Sequence, residues 1–339
     1  MKQMTRMLKG RTTRRKFIKQ VAGAAMAAAM LPSIASAQQV DAALIEAAKK
    51  EGKGSLYAVT DPAIIQAFVA KFKEKYGIEL EVTRLISGAL GQRLLSEHES
   101  GSPVADVVLD TDKLLQEQMH AKGMFASIDI VPGLAPYAHV KTPFSVIVSH
   151  IPYSLIYNKD QIKDPPKTWQ DLIDPKWKGR VLTIDPRVGG SPALWHVLMR
   201  DTYGEGFIKA LGQNATLSPS AVPGIQQIAA GAKAIYAPGI HQVVVGLLDK
   251  GAPIGEIFPQ PTISSDTSMM IMQKAPHPNI ARLLAAFTLS VDGQAVLNKD
   301  GFSPINGVPG TLPLPQMATP DFRTIKEKIP GLVQLLGAN

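Results

Sequence analysis

The chain of 339 residues contains no cysteine. Disulfides, a lipid-anchoring lipobox and zinc or iron–sulfur centres built on thiolates are therefore excluded. Beyond residue 37 there is no run of about 18 consecutive apolar residues, the length a membrane-spanning helix needs. Net charge is also missing from the body of the chain. There are 36 Lys+Arg and 28 Asp+Glu overall, but residues 1–37 hold eight of the basic residues and no acid, so the remainder is formally neutral. The basic balance belongs to the N-terminus, and nothing in it implies a nucleic-acid partner. Several catalytic signatures are absent: no G-x-S-x-G elbow, no H-E-x-x-H, no G-x-x-x-x-G-K-S/T and no G-x-G-x-x-G. His98-Glu99 lacks a second histidine at zincin spacing, and seven histidines are scattered without metal-like pairing. No catalytic residue, metal site or resident cofactor is expected. An exported hydrolase without a recognised motif stays as a rival of another class. A chain of about 300 residues buries roughly three-quarters of its unfolded surface, enough for stability without disulfides.

What is present begins with an export address. Lys2, Arg6, Lys9, Arg11, Arg14, Arg15, Lys16 and Lys19 precede an apolar, Ala-rich stretch from Val21 to Leu31, and Ala35-Ser36-Ala37 follows as a small-x-small cleavage site. Thr13-Arg14-Arg15-Lys16-Phe17-Ile18-Lys19 resembles the twin-arginine signal, with Ile in place of Leu. Residues 1–37 are expected to be removed after Ala37, leaving a periplasmic protein.

The body alternates short apolar runs with amphipathic stretches. Residues 54–59 read as a buried strand. Thr60-Asp61-Pro62 then supplies a capping oxygen and Pro at the first helical position. Ile64, Phe68, Phe72 and Tyr76 recur every four residues up to Gly77, as on an amphipathic helix. Further strands are expected at 78–83 and 105–109, with helices from Ser87 and Lys113. Residues 144–148 and 153–157 are extended with no helix between them, and read as a crossing into a second set of units. There, strands at 180–184, 234–236 and 253–258 alternate with helices at 191–200, 203–211, 222–230 and 240–250. Residues 268–273 return the chain. This pattern predicts two α/β lobes, each a mostly parallel sheet flanked by helices. Lobe one takes 38–145 and 267–339, with C-terminal helices that can reach lobe two, and lobe two takes 146–266.

Several segments carry a family resemblance. They are Phe72-Lys73-Glu74-Lys75-Tyr76-Gly77-Ile78-Glu79-Leu80, Ser87-Gly88, Gly101-Ser102-Pro103-Val104-Ala105-Asp106-Val107-Val108 and Ile156-Tyr157-Asn158-Lys159-Asp160. Trp169-Gln170-Asp171-Leu172, Pro175–Val181 and Gly293–Pro304 continue the series. In this order and spacing the chain resembles the extracellular solute-binding proteins of ABC importers, in the branch that includes ferric-ion receptors. The resemblance implies a type II periplasmic-binding-protein fold, a Venus flytrap holding ligand between its lobes. It also implies an ABC permease as partner. A monomer is expected. A passive ligand buffer or a chemoreceptor adaptor of the same fold stays open.

Loops at strand carboxyl ends supply the candidate ligand residues. In lobe one these are Thr60, Asp61, Ser87, Gly88, Asp110 and Thr111. In lobe two they are Arg187, Gly190, Ser191, Tyr236, Gly239 and His241. Helix starts at Ser87-Gly88 and Gly189-Gly190-Ser191-Pro192 suit an anion, and Arg187 offers a bidentate fork beside the second. An aspartate facing the ligand suits a cationic group, so a small organic anion or zwitterion is the expected cargo. The resemblance also admits ferric iron, but Pro238-Gly239 stands where ferric receptors carry a Tyr pair, and only a lone Tyr236 is present beside it.

Overall fold

A computed structural model describes residues 40–188 and 190–338, all within one compact unit. The export segment and its cleavage site lie outside the described residues.

The first lobe builds β1 (Lys53–Ala58), α2 (Pro62–Tyr76), β2 (Glu79–Arg84), α3 (Ser87–Glu99), β3 (Val107–Asp110), α4 (Lys113–Ala121) and β4 (Val146–Ser149), preceded by α1 (Ala42–Glu51). The chain then crosses to β5 (Tyr153–Asn158), β6 (Val181–Ile184), α5 (Gly190–Tyr203), α6 (Glu205–Asn214), β7 (Ala215–Ser218), α7 (Ala221–Ala229), β8 (Ile235–Ile240), α8 (His241–Leu248) and β9 (Ile254–Ile257). It returns through β10 (Thr267–Ile271) to α9 (Pro278–Leu289) and α10 (Val291–Leu297), and closes with α11 (Ile325–Leu335).

Local chemistry accounts for the elements. The Asp61 carboxylate accepts from the Ala63 N–H at 2.8 Å and Pro62 occupies the first position of α2. Ile65, Phe68, Phe72 and Tyr76 form its buried stripe, and Gly77 stops it in the left-handed region at φ 73°. All four residues of β3 are buried, as a central parallel strand requires.

Sheet one has the order β2-β1-β3-β10-β4 and sheet two the order β7-β6-β8-β5-β9. β1 runs parallel to β2 and β3, and β6 parallel to β7 and β8; only β10 and β5 run against their neighbours. Each sheet is thus mostly parallel, with one antiparallel strand that has just arrived from the other lobe.

That topology orients the lobes. β4 ends at the carboxyl edge of sheet one, while the antiparallel β5 starts at the carboxyl edge of sheet two. Only residues 150–152 join them, a reach on the order of 13 Å. β9 and β10 repeat the arrangement through residues 258–266. The carboxyl edges of the two sheets are therefore turned toward each other, with both crossings as the hinge between them.

Each lobe has its own core. In the first, the Phe68, Phe72 and Phe287 rings meet at 5.1–5.4 Å. In the second, Trp169 and Trp195 meet edge to face at 5.2 Å and the Trp169 indole N–H donates to the Pro261 carbonyl at 2.7 Å. One boundary differs from the sequence reading. Val146–Ser149 stays in sheet one because Val146 and Val148 are buried in the first core. The C-terminal α11 sits on the second core through Ile325, Leu332 and Leu336. The helix α1, the four-residue edge strand β7 and α11, which carries Pro330 inside it, are elements the sequence reading passed over.

Candidate functional site

Three neighbouring strands of sheet one end side by side and deliver Thr60, Ser87, Asp110 and Thr111 to one place. The loops are tied together: Val59 N–H donates to Leu109 O, Leu85 N–H to Ala58 O, and Arg84 Nε to Thr60 O. The Ser87 hydroxyl lies 3.4 Å from Thr111 Oγ1 and faces the Asp110 carboxyl. Asp110 is 2% exposed, and its Oδ2 accepts from the Asp112 N–H at 3.1 Å. Its Oδ1 is buried without a hydrogen-bond partner, and so is Thr60 Oγ1. Burial pushes the Asp110 carboxyl above its ordinary pKa, against the pull of Ser87 and the neighbouring N–H groups. Asp110 Oδ1 and Thr60 Oγ1 are thus two buried polar atoms at one strand-end cluster that no protein group pairs.

The hinge adds groups that the sequence reading did not single out. Asp266, on the returning crossing, accepts from Lys113 Nζ at 2.8 Å and pairs with His150 Nδ1 at 2.7 Å. Burial raises its pKa, but the His150 bond and the Lys113 charge outweigh that, and the carboxyl sits below its usual range. Tyr153, buried at the start of β5, has the Ser191 and Ser265 hydroxyls against its phenol. No sequence motif marks Tyr153, Ser265 or Asp266, since they meet only where the two crossings run side by side.

Ser191 is half-buried in the first turn of α5, and Gly190 starts that helix at φ 57°. Other expected residues are placed differently. Asp61 is spent on capping α2, and Gly88 is exposed with open space around it. The Arg187 guanidinium is closed on Asp185, donating from Nε and Nη2 to its carboxylate at 2.7–3.0 Å. That pairing holds the Asp185 carboxyl below its ordinary range. The free fork expected from sequence is therefore occupied by a residue of its own loop. Tyr236 faces the α7 side of sheet two, in a core with Ile156, Ile225 and Val244, and a side chain on Gly224 would overlap its ring. Gly239 is buried for a similar reason, the close approach of Ile156 and Ser154.

His241 is likewise committed. Its Nδ1 faces Glu256 Oε2 at 2.6 Å and its Nε2 faces the Asp300 carbonyl, while Phe258 and Phe302 pack on its ring. Two acceptors on one imidazole are satisfied only by the doubly protonated ring. Burial opposes that charge, but Glu256 and the Asp300 carbonyl overcome it and the pKa rises above 6.5. Asp300 follows α10 of the first lobe, so this bond joins the lobes. A raised folded pKa means stabilisation that is full below about pH 6.5 and fades as pH climbs through the folded value. The melting temperature of wild type minus that of His241→Asn, measured from about pH 5.5 to about 9, is expected to shrink with rising pH. A flat difference would rule out the imidazolium.

Among the described residues no group of three His, Asp or Glu is placed to hold a metal ion. No single described helix is long and apolar enough to cross a membrane.

Comparison with known proteins agrees with this architecture. Residues 102–326 match the bacterial extracellular solute-binding proteins. The thiamine-binding periplasmic protein of Salmonella typhimurium is 33% identical over 152 residues, covering 42% of this chain and 43% of that protein. Iron-bound HitA from Pseudomonas aeruginosa shares the fold with a TM-score of 0.66 at 20% identity, over 84% of this chain and 98% of that one. AfuA from Actinobacillus pleuropneumoniae, with exogenous fructose-6-phosphate bound, gives 0.65 at 20% identity over 85% and 99%. The family match covers three strands of sheet one, all of sheet two and both crossings, and on that basis the chain belongs to the bacterial extracellular solute-binding proteins, the exported receptors that serve ABC importers.

Proposed function

We propose that this receptor collects a small organic zwitterion, holding its cationic end at Asp110 and its anionic end at the start of α5, and hands it to an ABC permease. The observation that carries the reading is the buried, unpartnered Oδ1 of Asp110. An ammonium or similar cationic N–H group supplies both the missing hydrogen bond and the counter-charge. Across the crevice, Ser191 and the first-turn N–H groups of α5 favour an anionic group. The thiamine-binding relative supports a positively charged cargo, thiamine being a cation. Closure of the lobes about the two crossings excludes water from both ends. Export through the twin-arginine-like segment, cleavage after Ala37 and action as a monomer in the periplasm complete the proposal. Ferric iron is the weaker reading: Tyr236 lies in the core, and no cluster of hard ligands among the described residues replaces it.

Native mass spectrometry of the protein from its host weighs whatever it retains. A zwitterion is the expected result, and a bare ferric ion or a polyanion would sink the proposal. Ligand should also raise the melting temperature with the logarithm of its concentration. Arg187→Ala is expected to change affinity by less than about threefold, because its guanidinium serves Asp185 at the surface. A tenfold loss would return that fork to the ligand.

A further inference from the structure

Three loops on the facing sheet edges expose large aliphatic side chains. Ile86, immediately before Ser87, is 70% exposed, the highest value for a large hydrophobic residue among those described. Val188, in the turn before α5, is 48% exposed, and Val222, in the first turn of α7, is 44% exposed. Their positions follow from the strand order. β2 is the strand of sheet one farthest from β4, and β7 the strand of sheet two farthest from β9 and β5. Ile86 follows β2, Val222 follows β7, and Val188 follows β6, the next strand in. All three therefore stand at the mouth of the crevice, on the side away from the hinge. Two of them flank the polar anchors: Ile86 adjoins Ser87, and Val188 lies three residues before Ser191.

Apolar area left in water on an inner edge forgoes about 25 cal/mol per Å² that an apolar neighbour would recover. A bare metal ion or a small inorganic anion offers no such neighbour. We infer that the bound solute carries an apolar body, aliphatic or aromatic, between its charged ends, and that Ile86 and Val188 select for it. The inference rests on the zwitterion reading above and narrows it.

The test uses two sets of zwitterions matched in charge. The small set is glycine, β-alanine and 4-aminobutyrate; the apolar set is 8-aminooctanoate, 4-(aminomethyl)benzoate and 4-(aminomethyl)phenylacetate, whose apolar part lies between the ammonium and the carboxylate. Dissociation constants are measured by calorimetry for wild type, Ile86→Ser, Val188→Ser and Asp110→Asn. The expected result is binding of at least one apolar member in preference to the small set, weakened about tenfold in Ile86→Ser. Equal or tighter binding of the small set, binding of neither set, or full affinity in both serine variants overturns the inference. Full affinity in those variants with impaired uptake would make the two side chains contacts for the permease instead. The Asp110→Asn arm separates the two levels. If it binds as wild type does, the underlying zwitterion reading fails; if it alone loses affinity, only the apolar selection fails.

Discussion

Asp110→Asn is expected to bind the ligand ten- to a hundredfold more weakly while melting no lower than the wild type. The two halves of that result have one cause. A charge-assisted hydrogen bond to a buried carboxylate contributes about 1.5–3 kcal/mol, which is the stated range in affinity. Without ligand the same carboxylate is a liability. It is 2% exposed, its Oδ1 has no partner, and burial raises its pKa. A carboxyl whose folded pKa lies above its unfolded value favours folding more as pH falls, so its ionised form opposes folding at neutral pH. Asparagine keeps the shape and removes the charge. Calorimetric binding and thermal melts at neutral pH read the two halves separately. Unchanged affinity would remove Asp110 from the site. Lower melting with unchanged affinity would make it a structural residue.

Trp169→Ala is expected to cost about 3–5 kcal/mol and to lower the melting temperature on the order of 10 °C. The indole is fully buried, meets Trp195 edge to face, and donates to the Pro261 carbonyl on the crossing that returns to the first lobe. Its removal leaves a cavity in the second core and an unpaired carbonyl beside the hinge. Trp169→Phe keeps most of the volume and loses the N–H donor, so it should fall between the two. Heat denaturation followed by near-ultraviolet circular dichroism reports the effect. A loss below about 1 kcal/mol in the alanine variant would mean that the second core does not depend on this ring.

Much of the fold was readable along the chain, and the reasons are local. Asp61-Pro62 capped a four-residue stripe that ends at Gly77, and the structure has α2 there. The apolar triplet Val107-Val108-Leu109 before Asp110 forms a central strand. The elements passed over are those with weak local signals. β7 is four residues long and partly exposed on a sheet edge, and α11 has Pro330 in its interior and depends on docking to the second core. β4 joins sheet one rather than sheet two, a choice that two adjacent extended runs do not carry in their own residues.

The candidate site divides in the same way. Ser87, Asp110, Thr111 and Ser191 could be nominated from sequence because strand ends and helix starts are local features. Whether a nominated side chain is free for a ligand is not local. Arg187 is consumed by a residue two positions away, Tyr236 turns into the α7 face, and His241 is held between Glu256 and a carbonyl 59 residues on. By itself, then, the amino-acid order determined the α/β class, the two-lobed plan and the strand-end loops, because periodicity and capping act over a few residues. Tertiary structure alone decided which polar atoms are paired and which are left over, since a side chain's partners come from segments that only folding brings within about 3 Å.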